Sequence, residues 1–132
     1  MLAAGQCIHG FSYCGEIPHA RVLELMQAAD IFLNTSVQEG MPGAVMEAMA
    51  AGKAVVATDV AGNRALIENM RTGILVPLHD AELLLEACEH LAASPDLRQL
   101  LGGQAREEMH ARYGCEAELQ ALESLYTEIL TR

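Results

Sequence analysis

Residues 31–58 read IFLNTSVQEGMPGAVMEAMAAGKAVVAT and contain the clearest pattern of secondary structure in the chain. It begins with an apolar run at 31–35, passes through a loop rich in glycine and proline into an apolar segment at 43–51, and ends with the apolar run 54–58. The two runs predict strands and the middle segment predicts a helix, which together form a βαβ unit with parallel strands. Because residues 54–58 do not alternate between apolar and polar side chains, we expect this strand to be buried on both faces.

The rest of the chain continues this alternation, which is typical of a parallel sheet wrapped by helices. Upstream we expect an irregular segment at 1–10, a strand at 11–16 and a helix from Pro18 or His19 to Ala28. Downstream we expect a helix at 62–69, a strand at 73–76 and helices at 81–93, 95–112 and 116–130. The helix at 43–51 should end at Gly52, where a left-handed residue is favoured. The predicted fold class is α/β, a Rossmann-like parallel sheet flanked by helices with a helical C-terminus, in one domain spanning residues 1–132.

Charge and composition argue against several classes of protein. The net charge is −10, with 8 basic residues against 18 acidic ones, so a nucleic-acid partner is not expected. The cysteines form no C-x-x-C pair and the histidines are widely separated, so we expect no zinc site, no disulfide framework and a reducing cytoplasm. No apolar run approaches the roughly 18 residues of a membrane span, and the first residues do not resemble a secretory signal.

Two carboxylates, Glu39 and Glu47, lie at the centre of the pattern. Glu39 is in the predicted loop, whereas Glu47 lies about one turn into an almost wholly apolar helix. Burying an unpaired charge costs several kcal/mol, so we expect Glu47 to be paired with a donor such as Arg64, or with a ligand. For Glu39 the alternative to a ligand contact is a solvated loop glutamate. In this setting an ionised carboxylate can accept hydrogen bonds from two adjacent hydroxyl groups of a sugar.

The loop before this helix also offers backbone donors to a ligand. It follows a parallel strand, and ligands of open α/β sheets bind beyond the carboxyl ends of the strands. The helix dipole and the free amides at a helix N-terminus favour anions and hydroxyl groups. Since Pro42 has no amide hydrogen, the expected donors are the amides of Gly40, Met41, Gly43 and Ala44.

Several motifs follow one another in a fixed order along the chain. They are Thr35-Ser36, Glu39-Gly40-x-Pro42, Glu47-Ala48-Met49-Ala50-Ala51-Gly52, Val55-Val56-Ala57-Thr58-Asp59, Ala61-Gly62 and Gly73-Ile74-Leu75-Val76-Pro77. This order resembles the C-terminal, nucleotide-sugar-binding half of the group 1 glycosyltransferases, of the family 4 type. Those enzymes are retaining and have the two-lobed GT-B architecture. The resemblance runs from about Phe11 to Leu130.

The resemblance implies a role for each matching residue. Glu39 would be catalytic and contact the donor sugar near the reacting centre, and Glu47 would hold the ribose hydroxyls of the nucleotide. The sugar and the diphosphate would be bound by the backbone of Gly40, Met41, Gly43, Ala44 and Val45. Glu16 and Ile17 would flank the nucleobase. The resemblance implies no metal and no cofactor, because amide dipoles and basic side chains replace a metal in this architecture.

The chain also departs from the family. We expect it to lack the upstream Gly-Arg and Lys residues that neutralise the leaving diphosphate, and the N-terminal lobe that binds the acceptor, which would act in cis or in trans. Ala65 stands where a glutamate is frequent. Only Lys53 and Arg64 would lie within reach of a diphosphate, and we expect Lys53 to be a surface residue at the helix end.

We therefore expect the donor-binding domain of a cytoplasmic glycosyltransferase of glycan biosynthesis, with peripheral membrane attachment in the full-length enzyme. The full enzyme would transfer a hexose from a nucleoside diphosphate sugar to a hydroxyl acceptor with retention of the anomeric configuration. The domain would be inactive without the N-terminal lobe. The alternative is a non-catalytic or truncated nucleotide-sugar-binding module. A dinucleotide-dependent oxidoreductase fits less well, because no G-x-G-x-x-G follows the first strand. The apolar stripe from Leu119 to Leu130 predicts self-association of the isolated chain.

Overall fold

A three-stranded parallel sheet forms the centre of the fold. The computed structural model describes residues 10–130 and, for residues 6–8, the backbone. The sheet has the order β3 (Ile31–Asn34), β4 (Ala54–Thr58) and β5 (Ile74–Val76), with Ile31 opposite Ala54 and Val56 opposite Ile74. All five residues of β4 are buried, which confirms the prediction from its non-alternating sequence.

Six helices accompany the described strands. They are α1 (His19–Ala28), α2 (Gly43–Ala50), α3 (Ala61–Leu66), α4 (Ala81–Ala93), α5 (Pro95–Tyr113) and α6 (Cys115–Leu130). One face of β4, through Val55 and Ala57, packs with residues of α1, α2, α3 and the second half of α5. The other face, through Ala54 and Val56, packs with β5, α4 and Leu101 of α5. The α/β class with helices on both faces of a parallel sheet is confirmed.

The chain before α1 differs from its prediction. Gln6–Ile8 (β1) and Phe11–Tyr13 (β2) form an antiparallel pair, separate from the parallel sheet. The predicted strand at 11–16 is confirmed at 11–13 and is wrong at 14–16, and the predicted irregular segment is wrong at 6–8. Gly10 has φ +82°, a value that suits a tight hairpin turn and is accessible to glycine. Phe11 and Tyr13 are exposed. The remainder of the predicted segment, 1–5 and residue 9, lies outside the described residues.

Helix α3 ends at Leu66, three residues before the predicted end at 69. Ile67 is extended, and the buried Thr72 then accepts a hydrogen bond from the amide of Glu68 at 2.9 Å. The amide of Thr72 donates to the carbonyl of Glu68, also at 2.9 Å. In a continued helix the amide of Glu68 would donate to the carbonyl of Arg64. The side chain of Thr72 replaces that carbonyl as the acceptor, and α3 ends at Leu66.

The other helix ends follow the sequence closely. Gly52 has φ +71° and closes α2, as predicted. The hydroxyl oxygen of Ser94 accepts a hydrogen bond from the amide of Leu97 at 3.3 Å. Ser94 is therefore the N-cap of α5, and Pro95 is its first residue. Within the described residues, no helix is both long enough and apolar enough to cross a membrane.

Helix α5 approaches the turn between α2 and β4 through a glycine. A Cβ atom on Gly102 would lie 2.1 Å from the carbonyl oxygen of Gly52, whereas a Cβ on the neighbouring Gly103 would meet nothing within 4 Å. The contact places Leu101 and Ala105 of α5 in the two halves of the core. Gly102 is therefore required by packing and Gly103 is not.

We predict opposite effects of alanine at these two glycines. Gly102→Ala forces the helix away from the Gly52 backbone and should lower the free energy of unfolding by about 1–3 kcal/mol. Gly103→Ala, the matched control, should raise it by up to about 1 kcal/mol, because alanine is the better helix former. Urea denaturation followed by circular dichroism measures both changes. Equal effects of the two substitutions would contradict the packing described here.

Candidate functional site

The site loop, residues 35–42, connects the carboxyl end of β3 to α2 and is held to the carboxyl end of β4. Thr58, the last residue of β4, donates a hydrogen bond from its hydroxyl to the carbonyl oxygen of Ser36. Asn63 of α3 donates from Nδ2 to the carbonyl of Thr58 at 2.9 Å and to Oδ1 of Asn34 at 3.3 Å. The ends of two strands and one helix therefore fix the loop at the edge of the sheet where ligands of open α/β folds bind.

Glu39 lies in this loop, as predicted, and its carboxylate is oriented by two neighbours. Its Oε1 accepts from the hydroxyl of Ser36 at 2.6 Å and from Nδ2 of Asn34 at 3.5 Å, the second contact being long. The residue is half-buried, so the alternative of a freely solvated loop glutamate is wrong. Within the described part of the chain, Oε2 of Glu39 has no hydrogen-bond partner.

Gly62 allows α3 to pack directly on the site loop. A Cβ at this position would lie 2.5 Å from the carbonyl oxygen of Gly40 and 2.6 Å from that of Glu39. The adjacent Asn63 is fully buried and holds Asn34, and through Asn34 it reaches Glu39. Sequence reasoning used Gly62 only as part of a motif and gave Asn63 no role. The signal available was a glycine followed by an amide side chain, four and five residues after the end of a buried strand.

Glu47 lies four residues after the start of α2, which confirms its predicted position one turn into the helix. Its side chain is 35% exposed, and Oε1 forms a hydrogen bond of 2.8 Å with Nε2 of His19. Because an ionised carboxylate can only accept, Nε2 is the donor. The expected burial of this carboxylate is thus wrong: α2 buries Val45, Ala48 and Met49, and Glu47 lies at the border of that face.

Arg64 is not the partner of Glu47. Its guanidinium donates to Oδ1 of Asp59 at 2.7 Å, and the hydrogen bond and negative charge of Asp59 raise the pKa of Arg64 above its usual value. Lys53 donates from Nζ to the carbonyl of Gln27 at 2.6 Å, at the end of α2 remote from the site loop. Lys53 thus lies at the helix end, as predicted, and Arg64, the other cation considered for a diphosphate, is paired with Asp59.

The N-terminus of α2 carries no side-chain cap in the described structure. Pro42 precedes the helix, and its carbonyl accepts from the amide of Met46 at 3.1 Å. Of the predicted donor residues, Met41, Gly43 and Ala44 flank the start of the helix, and Val45 is fully buried. Val45 has no exposed surface, its backbone included, so the predicted ligand contact of Val45 is not supported, whereas Gly43 and Ala44 are exposed. The uncapped amides are available to an anion or to hydroxyl groups.

The candidate base-binding residues lie in the turn between β2 and α1. Glu16 is exposed, and Ile17 precedes Pro18, the residue immediately before α1. They stand three and two residues before His19, whose side chain contacts Glu47. The structure thus brings this turn to the same side of the molecule as the start of α2.

Two concave regions adjoin the site loop and Glu47. A cavity of about 190 Å³ at the carboxyl edge of the sheet is lined by Thr35, Val37, Thr58 and residues 76–81. A second, of about 380 Å³, lies between α2 and the junction of α5 with α6, beside Met46 and Glu47. Among residues 10–130, no group of three or more histidine, cysteine or acidic side chains could hold a metal ion.

The chain is similar to known proteins over most of its length. The family model described as glycosyl transferases group 1 matches residues 2–94. The chain is 33% identical over 110 residues to D-inositol 3-phosphate glycosyltransferase of Saccharomonospora viridis, covering 83% of this chain and 25% of that protein. Curated relatives are longer, and the chain spans between 25% and 34% of their length.

Solved structures of glycosyltransferases share the fold. Sucrose-phosphate synthase from Thermosynechococcus elongatus aligns with a TM-score of 0.80 and 30% identity, over 91% of this chain and 30% of that one. A mutant of TarM from S. aureus, solved in complex with fondaparinux, alpha-GlcNAc-glycerol and UDP, aligns with a TM-score of 0.71 and 26% identity over 79% of this chain and 21% of that one. The chain therefore belongs to the group 1 glycosyl transferases, a family of sugar transferases with the GT-B fold.

Proposed function

We propose that this chain is the donor-binding, C-terminal lobe of a retaining glycosyltransferase that transfers a hexose from a nucleoside diphosphate sugar to a hydroxyl acceptor. One observation carries the proposal: a single segment that follows β3 carries Glu39 in the site loop, then the uncapped N-terminus of α2 and, one turn later, Glu47. Relatives of this chain are sugar transferases, and TarM, which shares its fold, was solved with UDP.

Glu47 serves as the acceptor for the ribose hydroxyls. Its half-exposed carboxylate has Oε1 bound to His19, and Oε2 has no partner among the described residues. An ionised carboxylate can accept several hydrogen bonds at once, so His19 does not exclude a ribose. The turn with Glu16 and Ile17 then lies on the side from which a nucleobase would extend.

Glu39 serves as the residue that contacts the sugar. Ser36 and Asn34 bind Oε1, and Gly62 lets the loop backbone approach α3, so the carboxylate is held and Oε2 is left for a ligand. In a retaining transfer, positive charge develops at the anomeric carbon as the bond to the diphosphate breaks. A carboxylate fixed near that carbon stabilises the charge without reorganisation.

The diphosphate is bound by backbone amides rather than by side-chain cations of this chain. Lys53 and Arg64 are engaged by Gln27 and Asp59. The amides of Gly40, Met41, Gly43 and Ala44, in contrast, lie at the positive end of the α2 dipole. Further cations and the acceptor site would come from an N-terminal lobe in cis or in trans. The protein would act in the reducing cytoplasm.

A second reading is a module that binds the nucleotide sugar without transferring it. Lys53 and Arg64 are engaged by Gln27 and Asp59, and the loss of these two cations as partners for a leaving diphosphate favours binding without transfer. The two readings differ in one result. If this chain transfers a sugar when combined with an N-terminal lobe, it is the domain of an enzyme. If it binds the nucleotide sugar but transfers nothing under the same conditions, it is a binding module.

The two carboxylates should have separable effects on binding. Glu47→Gln should weaken both nucleotide and sugar nucleotide by about 10- to 100-fold, because it removes a charged acceptor for the ribose. Glu39→Gln should weaken the sugar nucleotide alone. Calorimetry with UDP and UDP-glucose, GDP and GDP-mannose, and ADP and ADP-glucose measures the two effects.

Glu89→Gln provides the matched control, since it removes an exposed carboxylate from α4, away from the site loop. It should leave both affinities unchanged. Equal weakening by all three substitutions would indicate a general loss of charge. If the wild-type chain bound none of these six compounds, the proposed function would be wrong for this polypeptide.

Helix α6 contacts α5 and buries none of its residues, so we also propose that the isolated chain self-associates through it. Its exposed apolar stripe consists of Leu119, Leu122, Leu125, Tyr126, Ile129 and Leu130. A second copy would cover this apolar area, and the net charge of −10 on each chain would oppose the approach.

Sedimentation velocity should therefore show an association that strengthens with added salt, because salt screens the like charges. Leu122→Glu places a carboxylate on the stripe and should shift the chain toward monomer. Gln120→Glu adds the same charge beside the stripe and should have the smaller effect. A monomer at high protein concentration and high salt would contradict this proposal.

A further inference from the structure

The hydrogen bond between His19 and Glu47 joins the start of α1 to α2. The two side chains are 66% and 35% exposed, and Nε2 of His19 lies 2.8 Å from Oε1 of Glu47. An exposed pair of this kind contributes little to stability, about 0–1 kcal/mol. Its effect on the arrangement of the surface is larger than its effect on the fold.

The contact restricts the carboxylate of Glu47. A glutamate on a half-exposed helix surface samples several rotamers, and ordering such a side chain on binding is opposed by its conformational entropy. His19 orders the side chain before a ligand arrives, because it binds one oxygen atom and leaves the other without a partner in the described chain. The carboxylate is thus preorganised to accept from a hydroxyl group.

The contact also links the start of α1, and the turn before it, to α2. Met26 is the only residue of α1 that is buried. Polar contacts attach the two ends of the helix to the α2 region: His19 binds Glu47 at its start, and the carbonyl of Gln27 accepts from Lys53 near its end. Glu16 and Ile17 lie three and two residues before His19. The contact of His19 with Glu47 therefore also links this turn to Glu47.

We propose that His19 is a positioning residue of the nucleoside site, which holds the Glu47 carboxylate and the Glu16–Ile17 turn in the arrangement that a ribonucleoside requires. The inference rests on the proposed function, in which Glu47 accepts from the ribose. It adds that recognition of the ribose hydroxyls depends on a donor from α1. His19 acts through Glu47 and need not touch the ligand.

The test compares ribonucleotides with their deoxy counterparts. Binding of UDP, GDP and ADP, each beside its 2′-deoxy form, is measured by calorimetry for wild type, His19→Ala, His19→Gln, Arg21→Ala and Glu47→Gln. Gln at position 19 keeps an amide donor. Arg21→Ala is the matched control, because Arg21 is also an exposed basic residue in the first turn of α1 but pairs with Glu24 at 2.6 Å.

Wild type should prefer the ribonucleotide by about tenfold or more, through the hydrogen bond from the 2′-hydroxyl to a charged acceptor. His19→Ala should weaken ribonucleotide binding by about threefold to tenfold and leave the deoxynucleotide nearly unchanged, so that the preference shrinks. His19→Gln should restore most of the preference. Arg21→Ala should not alter it.

Two results would overturn the inference alone. If Glu47→Gln removed the preference and His19→Ala kept it, Glu47 would bind the ribose without help from His19. Equal weakening of ribo- and deoxynucleotides by His19→Ala would assign His19 a structural role. If Glu47→Gln itself kept the preference, the ribose contact in the proposed function would be wrong and the inference would fall with it.

Discussion

The central strand β4 is buried along its whole length, and the position of the candidate site depends on this burial. A strand with no solvent-facing side requires neighbours on both edges and helices on both faces, which β3, β5 and the surrounding helices supply. Its last residue, Thr58, then binds the site loop through its hydroxyl and Asn63 through its carbonyl. The apolar core thus determines where Glu39 lies.

The site combines two carboxylates that are held in different ways. Glu39 is supported by short-range partners, Ser36 and Asn34, and by the close approach of α3 at Gly62. Glu47 is supported by His19, a residue 28 positions away in sequence, on another helix. Each carboxylate keeps one oxygen atom without a partner in the described chain. This difference in support is consistent with two separate tasks, at the sugar and at the ribose.

Local sequence signals predicted the elements that local interactions determine. The non-alternating run 54–58, the left-handed Gly52 and the start of α5 at Ser94 and Pro95 each depend on neighbouring residues, and the structure confirms them. The early end of α3 was missed because it depends on Thr72, a buried side chain that returns to Glu68. The pairing of β1 with β2 was missed because residues 6–8 show no pattern by themselves. At the site, the loop and helix positions of Glu39 and Glu47 were predictable, but the partner of Glu47 was not, since sequence spacing does not show which helices adjoin.

The central claim is that a nucleoside diphosphate sugar binds at the carboxyl edge of the sheet, between the site loop and the start of α1. Amide chemical shifts of the labelled chain, followed during titration with UDP-glucose, GDP-mannose and ADP-glucose, test it most directly. We expect at least one donor to shift the amides of residues 36–47 and 15–19, with small changes elsewhere. Shifts confined to α5 and α6, or none with any of the three donors, would contradict it.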